Sequence, residues 1–180
     1  KGTRTDFGYI GDIGALPVSL NALVENPGGY TTWDGPYIIR GADPDGFNED
    51  AWHVSYTYTD TLIRSTGSGS DIDKVFAGSS ALLLNNTVKG FIVDADKNVP
   101  GTIYRDSIII WLTYPDGLGN LTTATANPDW KGNFSFSNIP IGSHVMKVIC
   151  IPDSDTVSYP VSVVPQSITR IEIVFPADLW

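Results

Sequence analysis

Thr32-Trp33-Asp34-Gly35-Pro36-Tyr37-Ile38-Ile39, answered across an acidic loop by Asp50-Ala51-Trp52, is the stretch around which the first half of the chain is organised. Gly35 supplies the permissive backbone of a tight turn. Pro36 fixes φ and has no N–H to give, so extended chain is expected to begin at Tyr37. Trp33, Tyr37 and Trp52 are amphipathic plates that can cover a small core while a polar edge stays wet. Upstream, Leu16-Pro17 opens a short amphipathic helix in which Leu20, Leu23 and Val24 fall at i, i+3 and i+4, and Asn26-Pro27-Gly28-Gly29 stops it. Two helical turns cannot stand alone in water, so this helix must dock on the sheet that starts at Tyr37. Strands are expected over residues 37–40, 52–59 and 61–66.

The chain has 180 residues with 18 Gly, 12 Pro and only 17 % charged side chains. Frequent Val, Ile, Thr and aromatic runs between turn residues read as mostly β. A net charge of −9, with no cluster of Lys and Arg, argues against nucleic acid and against an anionic membrane surface. Cys150 stands alone, which excludes an intrachain disulfide and any site needing two thiolates; it reads as a small buried hydrophobe. No run of about 18 apolar residues is present.

Gly11-Asp12-Ile13-Gly14-Ala15-Leu16-Pro17, the stripe at residues 20–24, Trp33-Asp34-Gly35-Pro36-Tyr37-Ile38, Asp50-Ala51-Trp52 and Ile63-Arg64-Ser65-Thr66-Gly67 follow one another in a fairly specific order. Over residues 6–73 this resembles the globular part of type IV pilin-like proteins, in particular the major pseudopilin of type II secretion. The resemblance implies a structural motif at Trp33, Gly35, Pro36, Tyr37, Asp50 and Trp52, and a preceding long helix, half membrane anchor and half filament spine, that this chain lacks. Two positions depart from the family pattern. His53 stands where Gly usually follows Trp, and reads as a strand residue; Gly67-Ser68-Gly69 replaces a segment that carries an Asp ligand for calcium. Asp60, Asp71 and Asp73 remain as a candidate calcium set of hard oxygens, and Asp43, Asp45, Asn48, Glu49 and Asp50 form a second acidic group. Neither has the spacing of an EF-hand, because Gly46 comes too soon after Asp43.

Residues 67–80 are Gly- and Ser-rich and read as a linker, with a domain boundary near Ser80. Residues 1–80 carry five basic and eleven acidic side chains, and residues 81–180 six and nine, so the acidity belongs mainly to the first part. Beyond the boundary strand and turn alternate at the spacing of a sandwich, with strands expected over residues 87–94, 107–113, 121–126, 133–137, 144–151, 157–164 and 170–175 and no helix required. Ile171, Ile173 and Phe175 point one way, Arg170 and Glu172 the other. Val88 to Asp94 leading to Val99-Pro100-Gly101, then Gly132 to Phe136 and Ile139-Pro140-Ile141-Gly142, resemble the carboxypeptidase regulatory-like, or prealbumin-like, family. Its fold is a seven-stranded sandwich, and its functions are too varied to carry over.

Only His53 and His144 offer imidazole, one in each half, and no nucleophile, base and metal pattern gathers around either. The expected architecture is therefore an α+β pilin-like globular domain over residues 1–80, a short helix on a small antiparallel sheet, followed by an all-β seven-stranded sandwich over residues 81–180. The expected role is a non-enzymatic filament subunit, without cofactor unless calcium binds. Its partners would be other pilin or pseudopilin subunits and an inner-membrane assembly machinery, in the bacterial cell envelope. An extracellular carbohydrate- or protein-binding module is the alternative, with Trp111, Tyr114 and Trp130 as a sugar-stacking platform.

Overall fold

The computed structural model describes residues 6–152, 154–165, 167–176 and 180, and these carry three β-sheets and only short helical turns. Helix α1 (Gly8–Ile13) and a 3₁₀ turn (Leu20–Leu23) precede a small antiparallel sheet of β1 (Thr57–Thr59), β2 (Leu62–Ser65) and β3 (Ile72–Val75), in the order β1-β2-β3. A single turn, α2 (Ala81–Leu84), leads into the second half. There β4 (Asn86–Val93) is followed by the turn α3 (Gly101–Tyr104) and by β5 (Ile108–Pro115), β6 (Leu121–Ala126), β7 (Asn133–Ile139), β8 (Gly142–Cys150), β9 (Asp155–Val163) and β10 (Ile168–Val174).

These seven strands form two sheets. One has the order β10-β4-β7, with β10 parallel and β7 antiparallel to β4; the other, β6-β5-β8-β9, is antiparallel throughout. Strands of period two send alternate side chains to one side. Val88, Ile92, Phe134, Phe136 and Ile173 from the first sheet thus meet Ile110, Leu112, Met146, Val148 and Val161 from the second in one buried cluster, which also takes in Cys150. Each of the seven stretches expected to be strands is extended, with ends shifted by at most two residues.

The first half rests on one end of the sandwich. Gly117 N–H donates to the Ile13 carbonyl at 2.8 Å and Thr31 N–H to the Gly119 carbonyl at 2.8 Å. Gly14, at φ +79°, lies so close to the Pro115 carbonyl that no side chain would fit. Phe7 and Ala77 share a small cluster with Leu83 and Ile141, so side chains from both sides of residue 80 pack together.

Several expectations for the first half are corrected. Residues 37–40 are not a strand: the N–H groups of Tyr37 and Ile38 both point to the Leu23 carbonyl, at 2.8 and 3.3 Å, which ties them to the 3₁₀ turn instead of a neighbouring strand. The expected amphipathic helix is that 3₁₀ turn. Of residues 52–59 only Thr57–Thr59 are strand, because Asp50 and Val54 close a tight loop before it. The presumed linker contains β3, since Ile72 and Val75 pair with Ser65 and Leu62. In the second half, the turns α2 and α3 appear where no helix was expected.

Candidate functional site

Trp33 and Tyr37 hold the first half together locally. The Trp33 indole N–H donates to the Ala22 carbonyl at 3.1 Å, and its ring meets Tyr37 edge-on at 5.6 Å between centroids, as Tyr37 meets Tyr9 at 5.8 Å. A Cβ at Gly35 would run into the Trp33 indole, so the turn requires glycine there for space. The Tyr37 hydroxyl donates to Asp12 at 2.6 Å. Burial, reinforced by that bond, raises the Tyr37 pKa well above its ordinary value, and burial also raises that of Asp12.

Asp50 is the polar hub of the region. Its Oδ1 accepts the N–H groups of Trp52 and Val54, each at 3.0 Å, and its Oδ2 accepts the Ser65 hydroxyl at 2.7 Å and the Gly67 N–H at 2.9 Å. Donors on every side favour the ionised form; led by the Ser65 hydroxyl, they hold its carboxyl down to about 2. A Cβ at Gly67 would lie 2.6 Å from this carboxylate and 2.8 Å from Trp52 Cβ. One carboxylate thus pins the Trp52 loop to the end of β2. His53, expected as a strand residue, sits in this loop at φ +59°, the left-handed region that glycine enters most easily. Its imidazole faces Glu49 at 3.4 Å.

One face of the small sheet is partly covered, with Tyr58 and Ile63 half-buried on it. Tyr58, Ile63 and Lys74 lie side by side across its three strands. Two adjoining grooves run over this face, of about 310 and 460 Å³, and both are lined by Leu20 and Ile63. The first reaches Phe7, Leu16, Phe76, Leu83 and Ile141; the second reaches Phe47, Trp52 and Ile72. Together they make an apolar trough walled by the 3₁₀ turn on one side and the sheet on the other.

The candidate calcium residues do not converge. Asp71 and Asp73 both face the Arg64 guanidinium, at 2.8 and 2.7 Å, and the Arg64 pair lowers the Asp73 pKa. Asp60 lies in the turn between β1 and β2, at the far end of β2 from Asp73, which pairs with Arg64. Among the described residues no group of three His, Cys, Asp or Glu side chains is placed to hold a metal ion. Nor do the three aromatics named as a platform meet. Trp111 faces outward from β5, Tyr114 packs against the sandwich core, and Trp130 lies in the β6–β7 turn with the Lys131 ammonium 4.6 Å over its ring. His144 is buried, its Nε2 2.8 Å from the Pro140 carbonyl and its Nδ1 without a partner among the described residues. Sequence reasoning missed Ser65 and Gly67 as partners of Asp50; the Ser-Thr-Gly that ends β2 resembles any other turn.

No protein-family model matches the chain, and none of the curated proteins does. Among solved structures, it is similar to the dioxygenase domain of a dioxygenase–carbohydrate-binding protein fusion from the cellulolytic bacterium Streptomyces sp. SirexAA-E, at 12 % identity over 57 % of this chain and 86 % of that one, TM-score 0.40. It is also similar to the Streptococcal ancillary pilin, at 14 % identity over 66 % of this chain and 43 % of that one, TM-score 0.36. A third similarity is to the major pilin subunit of Bacillus cereus, at 14 % identity over 65 % and 37 %, TM-score 0.37. All three are remote, and the likeness carries neither activity nor partner to this chain. Among the described residues no helix is long and apolar enough to cross a membrane.

Proposed function

We propose that this chain is a non-enzymatic structural subunit of a pilin or pseudopilin filament, of the type II secretion or type IV pilus kind. Residues 1–80 are its globular head, and residues 81–180 are a sandwich displayed outward. The observation that carries this reading is the apolar trough on the β1–β2–β3 sheet. The sheet face carrying Tyr58 and Ile63 is only half-buried, and a groove lined there by Leu20, Tyr58 and Ile63 has the apolar chemistry to receive the apolar stripe of a helix. Phe7 is among the residues that line this trough.

In this reading the head is the collar around a spine helix. Spine helices of successive subunits make head-to-tail contacts that do not close, which is how helical filaments grow. The partners are then neighbouring subunits and an inner-membrane assembly machinery, and the globular part lies in the periplasm or outside the cell. The test is the encoded sequence upstream of Lys1. The expected finding is a short basic leader and about 20 apolar residues running into an amphipathic helix. A conventional cleavable secretion signal directly before Lys1 overturns the proposal.

A further inference from the structure

The sheet β6-β5-β8-β9 turns one face to the core and the other to solvent, and residues directly opposite on neighbouring strands share a face. Its register aligns Thr125 with Trp111, Trp111 with Lys147 and Lys147 with Ser158. The result is one straight row across four strands, about 14 Å long at a strand spacing of about 4.8 Å. All four residues are exposed, Trp111 to 37 %. In the adjoining row Thr113 and Thr123 stand opposite each other, their hydroxyls 3.0 Å apart.

The charge on this face is unlike that of the rest of the molecule. The chain has 20 acidic residues and a net charge of −9, yet no outward position of the four strands is acidic and Lys147 is the one cation among them. A single positive charge is far too little for nucleic acid. A flat indole offers a stacking plate for the C–H face of a sugar ring. Set in line on either side of it, the Thr125 and Ser158 hydroxyls can donate to or accept from sugar hydroxyls, and the Lys147 ammonium can donate to them. The surface is an open plane, suited to an extended chain lying across the strands. Trp130, with Lys131 over its ring, has no such row beside it.

We infer that the outward face of this sheet, centred on Trp111, binds a neutral polysaccharide laid along the row Thr125–Trp111–Lys147–Ser158. The site is separate from the trough and does not depend on filament assembly. The whole chain is run by native electrophoresis through gels containing hydroxyethylcellulose, xylan or glucomannan, with polygalacturonate as the anionic comparison. Retardation is expected in at least one neutral gel. Trp111→Ala should weaken it at least tenfold, Lys147→Ala and Ser158→Ala should weaken it severalfold each, and Trp130→Ala should leave it unchanged. Thermal unfolding of each variant separates lost binding from lost fold, and the exposed Lys147→Ala variant is expected to melt with the parent. No retardation in any neutral gel, retention confined to polygalacturonate, or full retention by a folded Trp111→Ala overturns the inference.

Discussion

The two halves of this molecule solve the same problem differently. In the second half, two sheets present alternate side chains to each other and close one core, with Ile92, Ile108, Ile110, Leu112, Met146 and Ile173 wholly buried. In the first half, α1 and the 3₁₀ turn feed two small clusters to which the three-stranded sheet contributes no residue, while Ile39, Trp52, Ile72, Val75 and Phe76 stay exposed. What the first half lacks in apolar burial it replaces with directed polar contacts: the Asp50 hub, the Trp33 indole bond and the Tyr37–Asp12 pair. A pattern of faces is enough where two sheets can cover each other; a region without a second layer needs specific partners.

The largest effect that sharpens this contrast is expected in the sandwich. Ile173→Asp places an unpaired carboxylate in a fully buried position, and an uncompensated buried charge costs more than a domain of this size can spare. Calorimetry should show the cooperative transition lost. Ile72→Asp, on a residue 55 % exposed, should leave it in place. Equal tolerance of both substitutions would erase the distinction drawn between the halves.

Next in size is the effect of separating them. We propose residues 81–180 as a unit that unfolds cooperatively by itself, at a lower temperature than the whole chain, because Leu83 and Ile141 lose Phe7 and Ala77. Residues 1–80 alone should give no sharp transition in circular dichroism. A cooperative first half and a molten second half would reverse the comparison.

A smaller effect should appear on acidification, with a different origin in each half. Asp50 has its pKa lowered from an ordinary 3.8 to about 2, so the stability it contributes is full above about pH 4 and is lost as pH falls to about 2. Asp50→Asn should remove that part of the pH dependence and loosen the Trp52 loop, read as Trp fluorescence. In the sandwich, burial lowers the His144 pKa from 6.5. Its neutral form therefore stabilises fully above pH 6.5, and stability declines as pH drops below that. His144→Phe should flatten the decline; an unchanged profile would show that the buried imidazole does not couple to folding.

The smallest effect concerns calcium. Asp71 and Asp73 are already taken by Arg64, and Asp60 is at the other end of β2. Millimolar Ca²⁺ should therefore leave the melting temperature unchanged, and EDTA should change nothing. A clear upward shift, as expected when an ion binds only the folded state, would mean that the ion displaces Arg64 and gathers these acids after all.

The sandwich strands were legible because alternation is a local property: Ile171, Ile173 and Phe175 against Arg170 and Glu172 announce a two-sided strand whatever lies elsewhere. The first half was less so. Tyr37-Ile38-Ile39 looks like a strand by composition, yet its N–H groups are claimed by Leu23. Ile72-Asp73-Lys74-Val75 looks like the end of a linker, yet β2 offers it a partner. The aromatic motif was visible as a set of residue types, and its Trp33, Gly35 and Tyr37 do pack together; its bond to Ala22 was not visible.

By itself, then, the amino-acid sequence determined which segments of residues 81–180 are strands, which of their faces is buried, and that Cys150 has no disulfide partner within the chain. Side-chain period and composition suffice for these. Only the tertiary structure decided that Asp50, one acid among five neighbouring polar residues, is the buried hub, because its donors Ser65 and Gly67 come from a strand end 15 and 17 positions away. It likewise decided that Trp111 stands in line with Lys147 and Ser158, because strand register, which no single strand contains, sets who stands opposite whom.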